Sequence, residues 1–232
     1  MQFEQKLKPG VLLRRYKRFL ADIRLENNRT VTAHCPNSGS MRGCSDPGSP
    51  VLLSRSDNRR RKYAHTLEMV QAGTVWVGVN TGLTNRLVRE ALENGVIKEF
   101  GRLDAITQEV KTSANTRLDF LLEQQGTKIF LEVKNCSLAE NRVAMFPDAV
   151  TARGTKHLQE LAALKRQGCQ AAVLFCVQRG DAECFMPAAH IDPRYAENLV
   201  KVAAEGVMVL AYQAEVGPGE IRVAGKLPVK TG

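Results

Sequence analysis

The chain has 232 residues, of which 44% are hydrophobic and 25% charged, with 33 Lys and Arg against 24 Asp and Glu. That composition supports a packed core and excludes a disordered chain, a collagen-like chain and a disulfide-dense miniprotein, while the length fits one large domain or two small ones. The longest apolar run, Ala171 to Val177, is far short of the roughly 20 residues that span a bilayer. The first ten residues hold no apolar segment of the secretory type, so the expected location is the cytoplasm.

The first third reads as short strands at Tyr16–Leu25, Thr30–His34, Pro50–Ser54 and Thr74–Val79. Turn-rich segments, among them Pro36 to Ser40 and Asp46 to Pro50, separate them. This pattern fits a small barrel of the OB type. The charge excess is concentrated in the same region: residues 1–80 hold 14 Lys and Arg against 6 Asp and Glu, whereas residues 81–232 hold 19 against 18. Two runs dominate it, Arg14, Arg15, Lys17 and Arg18 around Tyr16, and Arg59, Arg60, Arg61 and Lys62 before Tyr63. Clustered cations release counterions when they neutralise phosphates, and interleaved aromatics offer stacking surfaces for bases. The expectation is a basic nucleic-acid-binding domain over 1–80 and a second domain over 81–232.

After Asn80 the hydrophobic period lengthens. Asn85–Asn94 is helical, with Leu87, Val88, Ala91 and Leu92 on one stripe and Gly95 behind it. Strands follow at about Ala105–Lys111, Thr116–Glu123 and Lys128–Asn135, then a helix over Thr155–Gln167. Ala171–Val177 suits a strand buried on both faces. Asp192 caps a helix running to Glu205, and Val207–Tyr212 is another strand. The order α-β-β-β-α-β, then α-β, predicts an α/β sandwich with a mixed sheet.

Six cysteines without a C-x-x-C pair read as buried free thiols, and His34, Cys35 and Cys44 make only a weak zinc set. No phosphate-binding G-x-x-x-x-G-K-[ST] or dinucleotide-binding G-x-G-x-x-G is present, which argues against a P-loop enzyme or a dinucleotide-dependent dehydrogenase. The two main helices of the second domain are about 24 residues apart with a strand between them, so they do not form a helix-turn-helix.

The chemistry is concentrated in residues 117–134. A turn at Gln125-Gly126 sets a hairpin in which Leu118 faces Val133, Phe120 faces Leu131 and Leu122 faces Ile129, one apolar face. On the other face Asp119 then lies opposite Glu132, and Arg117 opposite Lys134. Folding alone gives no reason to oppose two carboxylates whose Cβ atoms are about 5 Å apart. A hard divalent cation, Mg²⁺ or Mn²⁺, would remove the repulsion. Lys134 shares that face and can orient a water or stabilise charge on a phosphate. Lys156 and His157, read as the start of the following helix, are placed to meet a phosphate.

An Asp, a tight hairpin and Glu-x-Lys within α-β-β-β-α-β resemble the PD-(D/E)xK nuclease superfamily. The chain as a whole resembles the sugar fermentation stimulation protein family, through Arg15 to Asp22, His34 to Gly39, Ser56 to Tyr63, Val79 to Thr81, Arg117 to Phe120, Glu132 to Lys134, Phe146 to His157 and Pro187 to Asp192. The resemblance implies an OB-like domain followed by a nuclease-like domain. It also implies non-specific DNA binding and a role in regulating sugar (maltose) metabolism. It matches Asp119, Glu132 and Lys134 to the superfamily's site and adds a helix carboxylate, Glu90, as a further metal ligand; Leu118 stands where the superfamily has Pro. Two readings follow. One is a Mg²⁺- or Mn²⁺-dependent nuclease on DNA, or on RNA. The other is a non-catalytic DNA-binding regulator. A sugar-binding protein finds little support in scattered aromatics and a single Trp.

Overall fold

The computed structural model, which describes residues 1–113 and 116–231, contains two successive strand-rich segments. The first contains β1 (Lys8–Tyr16), β2 (Leu20–Leu25), β3 (Thr30–His34), β4 (Pro50–Arg55), β5 (His65–Ala72) and β6 (Val75–Gly78). Their order is β3-β2-β1-β4-β5-β6, and a parallel pairing of β3 with β5 closes the first five into the expected OB-like barrel.

Two strands depart from the sequence reading. The expected strand Tyr16–Leu25 is a turn followed by β2: the chain reverses at Lys17 and Arg18, both at positive φ (48° and 62°), and β1 precedes them. Only Leu12 of β1 is fully buried, so the strand shows little alternation in its sequence. β5 was hidden for the opposite reason, since Thr66 to Val70 are buried consecutively. Leu67 and Val70 fill the barrel with Leu12, Ile23 and Leu53. Met69, on the other face, joins Leu52, Leu7 and Met1 in a core shared with the second domain. Each such side chain contributes about 1.5–3 kcal/mol when fully buried.

The second segment contains α1 (Thr84–Glu93), β7 (Ala105–Ser113), β8 (Thr116–Gln124), β9 (Thr127–Cys136), β10 (Leu138–Glu140), β11 (Val143–Phe146), α2 (Ala152–Arg166), β12 (Gln170–Val177), β13 (Cys184–Pro187), α3 (Pro193–Ala204), β14 (Met208–Val216) and β15 (Ile221–Leu227). Its mixed sheet runs β15-β14-β12-β9-β8-β7, with β9, β12 and β14 parallel, and β10, β11 and β13 form a small side sheet. α1 and the first residues of the chain pack on one face through Leu87, Val88, Phe120 and Leu122. α2 and α3 cover the other through Leu158, Leu161, Phe175 and Leu199. β12 is buried from Ala171 to Val177, as its apolar run predicts.

The β8–β9 hairpin has the expected turn, with Gln125 and Gly126 at φ 47° and 78°, the positive pair that a two-residue turn of this type needs. Its register pairs Phe120 with Leu131 and Leu122 with Ile129, and the last paired residues toward the site are Phe120 and Leu131. α2 begins a turn earlier than expected. Thr151 caps it, its Oγ1 accepting from Gly154 N at 3.0 Å, while its own N–H donates to Asp192 Oδ2 at 2.8 Å. Lys156 and His157 therefore stand in the second turn and not at the helix start.

A latch joins the two segments. Ser40 Oγ donates to the Asp148 carbonyl at 2.5 Å and Met41 N to Asp148 Oδ2 at 2.8 Å. Gly39 passes so close that a side chain there would lie 2.5 Å from Asp148 Oδ1.

Candidate active site

β8, β9, α1 and α2 converge on a cleft of about 490 Å³ that contains Asn85, Asp119, Glu132, Lys134, Arg153 and His157. Asp119 is half-buried. Its Oδ1 accepts from Asn85 Nδ2 and its Oδ2 from the backbone N–H of Val133, both at 2.8 Å. Burial, followed by the charge of Glu132, raises its carboxyl to about 6. Glu132 is 3% exposed. Its Oε1 accepts from Lys134 Nζ at 2.6 Å and is bonded by His157 Nδ1. Burial pushes this carboxyl up, but His157 and Lys134 outweigh burial and hold it below the ordinary glutamate value. The two neighbouring carboxylates are thus driven apart: Glu132 is kept ionised by two donors, and Asp119 carries the strain of the pair.

His157 was read from the sequence only as a residue at a helix start. It is 5% exposed, its Nδ1 faces Glu132, and its Nε2 accepts from Arg153 Nε at 3.4 Å. With Nε2 as acceptor, Nδ1 is the nitrogen that donates to the carboxylate. A histidine four residues after an arginine on one helix face was the available signal.

The structure corrects the helix carboxylate. Glu90 points away from the cleft and binds the chain's N-terminal ammonium through Oε1 at 2.8 Å; Asn85 is the α1 residue that reaches Asp119. Helical spacing explains the difference. At about 100° per residue, Asn85 and Glu90 lie about 140° apart around α1, so only one of the two can face Asp119.

The donors fit a hard divalent cation. Glu132 Oε2 is buried and has no hydrogen-bond partner among the described residues, and Asp119 is a second hard oxygen donor in the same cleft. No cluster of three or more His, Cys, Asp and Glu side chains suited to a metal forms among the described residues. Two carboxylates with the remaining positions left to water and phosphate are what Mg²⁺ commonly takes.

The basic residues divide into several groups. Arg59 and Arg60 are exposed in the β4–β5 loop, with Lys62 beside them 5.6 Å from the Tyr63 ring centre. Arg61 donates to Thr66 Oγ1 at 2.9 Å. Lys17 and Arg18 are exposed at the β1–β2 turn, and Arg18 lines a second cleft, of about 370 Å³, between the barrel and β9. That cleft shares Thr81, Lys134 and Asn135 with the carboxylate cleft. Arg14 pairs with Asp22 at 2.8 Å and lies over the Tyr16 ring. Arg15 is half-buried and turned into the barrel's own loops. Its guanidinium donates to the carbonyls of Arg18, Asn37, Gly39 and Ser40 at 2.7–3.2 Å, and so holds the latch loop in shape. Arg117 does not pair with Lys134; it lies 3.5 Å from Glu109, and with Lys156 it lines a third cleft.

Residues 13–79 match the model of the SfsA N-terminal OB domain, and residues 82–220 that of the sugar fermentation stimulation protein RE domain. A sugar fermentation stimulation protein homolog of Desulfotalea psychrophila is 55% identical over 93% of this chain and 92% of its own length. One from Geotalea uraniireducens is 52% identical over 99% and 100%. The solved structure of Pyrococcus furiosus SfsA in complex with Ca²⁺ superposes with a TM-score of 0.91 at 28% identity, covering 99% of this chain and 98% of that one. With both of its halves matched in order and relatives above 50% identity along nearly its whole length, the chain belongs to the sugar fermentation stimulation protein family.

Proposed function

We propose that this protein binds DNA without reading its sequence and hydrolyses its phosphodiester bonds with a divalent metal, Mg²⁺ or Mn²⁺; RNA is the alternative polymer. The observation that carries the reading is the unpartnered, buried Glu132 Oε2 beside Asp119. An orphaned carboxylate oxygen costs several kcal/mol unless a cation meets it. That the Pyrococcus furiosus relative is a complex with Ca²⁺ supports a hard cation here as well.

Asp119 and Glu132 would hold the metal, which supplies charge neutralisation on the phosphate and a more acidic water. Asn85 and the Val133 N–H fix the Asp119 carboxylate; His157 and Lys134 fix that of Glu132. Lys134, 13% exposed at the mouth of both clefts, is positioned to orient water and to stabilise charge on phosphate. The barrel, residues 1–80, grips the backbone through Arg18 and the Arg59–Lys62 loop, and residues 81–232 carry the chemistry. Phosphate contacts position a duplex or strand without specifying its sequence. No helix among the described residues is long and apolar enough to cross a membrane.

The test is direct. Purified protein is incubated with plasmid and single-stranded DNA in Mg²⁺, in Mn²⁺ and in EDTA, alongside Asp119→Asn and Glu132→Gln. Metal-dependent cleavage that both substitutions abolish is expected. Cleavage that survives Glu132→Gln belongs to another protein. DNA binding without cleavage in any divalent metal makes the protein a binding regulator of sugar metabolism instead.

A further inference from the structure

Next to the carboxylate cleft lies a third one, of about 610 Å³, lined by Lys111, Thr116, Arg117, Arg153 and Lys156, with Ala152 and His157 at its edges. It adjoins the carboxylate cleft through Arg153 and His157, which line both. The cleft between barrel and β9 adjoins it on another side through Lys134 and Asn135. The three clefts thus form one trough with the carboxylates in its middle.

We infer that the third cleft is a phosphate subsite, which takes a phosphate group of the polynucleotide beside the one at the carboxylates. The inference rests on the reading above, whose trough it extends away from the barrel. Among the described residues four cationic side chains line this cleft and no acidic one does. They come from two separate elements, β7–β8 and α2, so their convergence is made by the tertiary fold and is not a run in the sequence. Among the described residues Arg117 pairs with Glu109 at 3.5 Å, and both side chains are about 60% exposed. An exposed pair of this kind is weak and is readily exchanged for a bidentate phosphate.

A second observation is independent of charge. Thr116 is 4% exposed, lines the cleft, and its Oγ1 is buried with no hydrogen-bond partner among the described residues. A buried hydroxyl without a partner costs about 1–3 kcal/mol. A phosphate oxygen in the cleft would accept from it. Cations arranged around a hydroxyl donor are the chemistry that recognises a phosphate group, either an internal diester or a terminal monoester.

Binding of fluorescein-labelled single-stranded 12-mers to the full chain in EDTA tests this without cleavage. The strands are unphosphorylated, 5′-phosphorylated or 3′-phosphorylated. Arg117→Gln/Lys156→Gln should weaken binding about 5–10-fold and lower the salt slope by about 0.7, the value for one single-strand phosphate contact. Thr116→Val, nearly isosteric, should weaken it about threefold or more with the salt slope unchanged, because it removes a donor and no charge. Arg194→Gln/Lys201→Gln, exposed on α3 outside all three clefts, is the charge-matched control and should change affinity less than twofold. Equal losses on all three strands assign the subsite to an internal diester. A loss confined to one phosphorylated end assigns it to that monoester. If the control loses as much as the Arg117/Lys156 pair, or Thr116→Val binds as wild type, there is no such subsite. Because no metal is present, the affinity losses stand or fall separately from cleavage.

Discussion

The backbone N–H of Val133 donates to Oδ2 of Asp119 at 2.8 Å, just beyond the last paired residues of the β8–β9 ladder, Phe120 and Leu131. The ladder therefore ends where the site begins, and a side-chain carboxylate takes the hydrogen bond that a strand carbonyl would otherwise accept. The consequence is a fixed rotamer. Asp119 is held by Val133 on one oxygen and by Asn85 on the other, so it stays in place although burial, and after it the charge of Glu132, raises its carboxyl to about 6.

Asn85, not Glu90, is expected to support the metal. Asn85→Ala should weaken Ca²⁺ or Mn²⁺ binding, measured by calorimetry, by about 10–100-fold, the usual effect of removing an outer partner of a ligand. Glu90→Gln cuts the tie to the N-terminus and should leave metal affinity within about twofold, with a stability loss of about 1 kcal/mol. The reverse pattern would restore Glu90 as the ligand.

Arg15 and the pair Arg59 and Arg60 should fail in different ways. Arg15→Gln removes donors from four carbonyls of the latch loop and should cost about 2–3 kcal/mol in urea unfolding. Arg59→Glu/Arg60→Glu touches only solvated side chains and should leave stability within about 0.5 kcal/mol. It should weaken DNA binding for every sequence alike and flatten the salt dependence. A sequence-selective loss, or a destabilised loop variant, would contradict the assignment of this loop to backbone contact.

Much of this was legible because it follows from period and pairing. Two of the three expected apolar pairs of the hairpin, Phe120 with Leu131 and Leu122 with Ile129, form as read, whereas Leu118 and Val133 lie beyond the ladder in different core clusters; the β12 strand was legible from an unbroken apolar run, and the α3 cap from Asp192, whose Oδ1 accepts from Tyr195 N at 3.0 Å. What stayed hidden depends on contacts between distant residues. β5 is covered by the barrel on one face and by the second domain on the other, so its sequence does not alternate. His157 meets Glu132 only once α2 lies across β9, and the starting point of α2 depends on Asp192, 41 residues beyond Thr151. Arg15 looked like its basic neighbours, and only the fold of residues 37–40 around it gives it a structural task.

Asp22 offers a pH test within the barrel. Burial pushes its carboxyl up, but hydrogen bonds from Arg14, Thr32 and Tyr16 outweigh burial and hold it below the ordinary aspartate value. A carboxyl lowered in the folded state adds stability that is present above its unfolded value of 3.8 and is lost as pH falls through the folded one. Asp22→Asn should therefore be less stable than wild type at pH 7, and the gap should close below pH of about 3.8. The same substitution releases Arg14, so DNA affinity at pH 7 should rise about two- to threefold. A gap that stays constant down to acid pH would show that Asp22 acts through shape and not through charge.

Lys134 separates catalysis from binding. Its ammonium lies 2.6 Å from Glu132 Oε1, on the oxygen already bonded by His157, and leaves Oε2 open. Lys134→Met keeps the length and packing of the stem and deletes the charge. His157 still anchors Glu132, so the carboxylate should stay in place. Removing a cation beside two carboxylates should leave metal affinity unchanged or slightly higher, since that cation repels the incoming ion. Cleavage should nonetheless fall by about 10²-fold or more, the usual loss when a positioned electrostatic group is removed. DNA affinity should change by less than about twofold, because the barrel and the flanking cations supply most of it. Glu132→Gln, by contrast, should lose metal and cleavage together. A Lys134→Met protein that cuts at the wild-type rate would remove Lys134 from the chemistry. One that loses metal as Glu132→Gln does would show that the lysine holds Glu132 in place and takes no part in the chemistry.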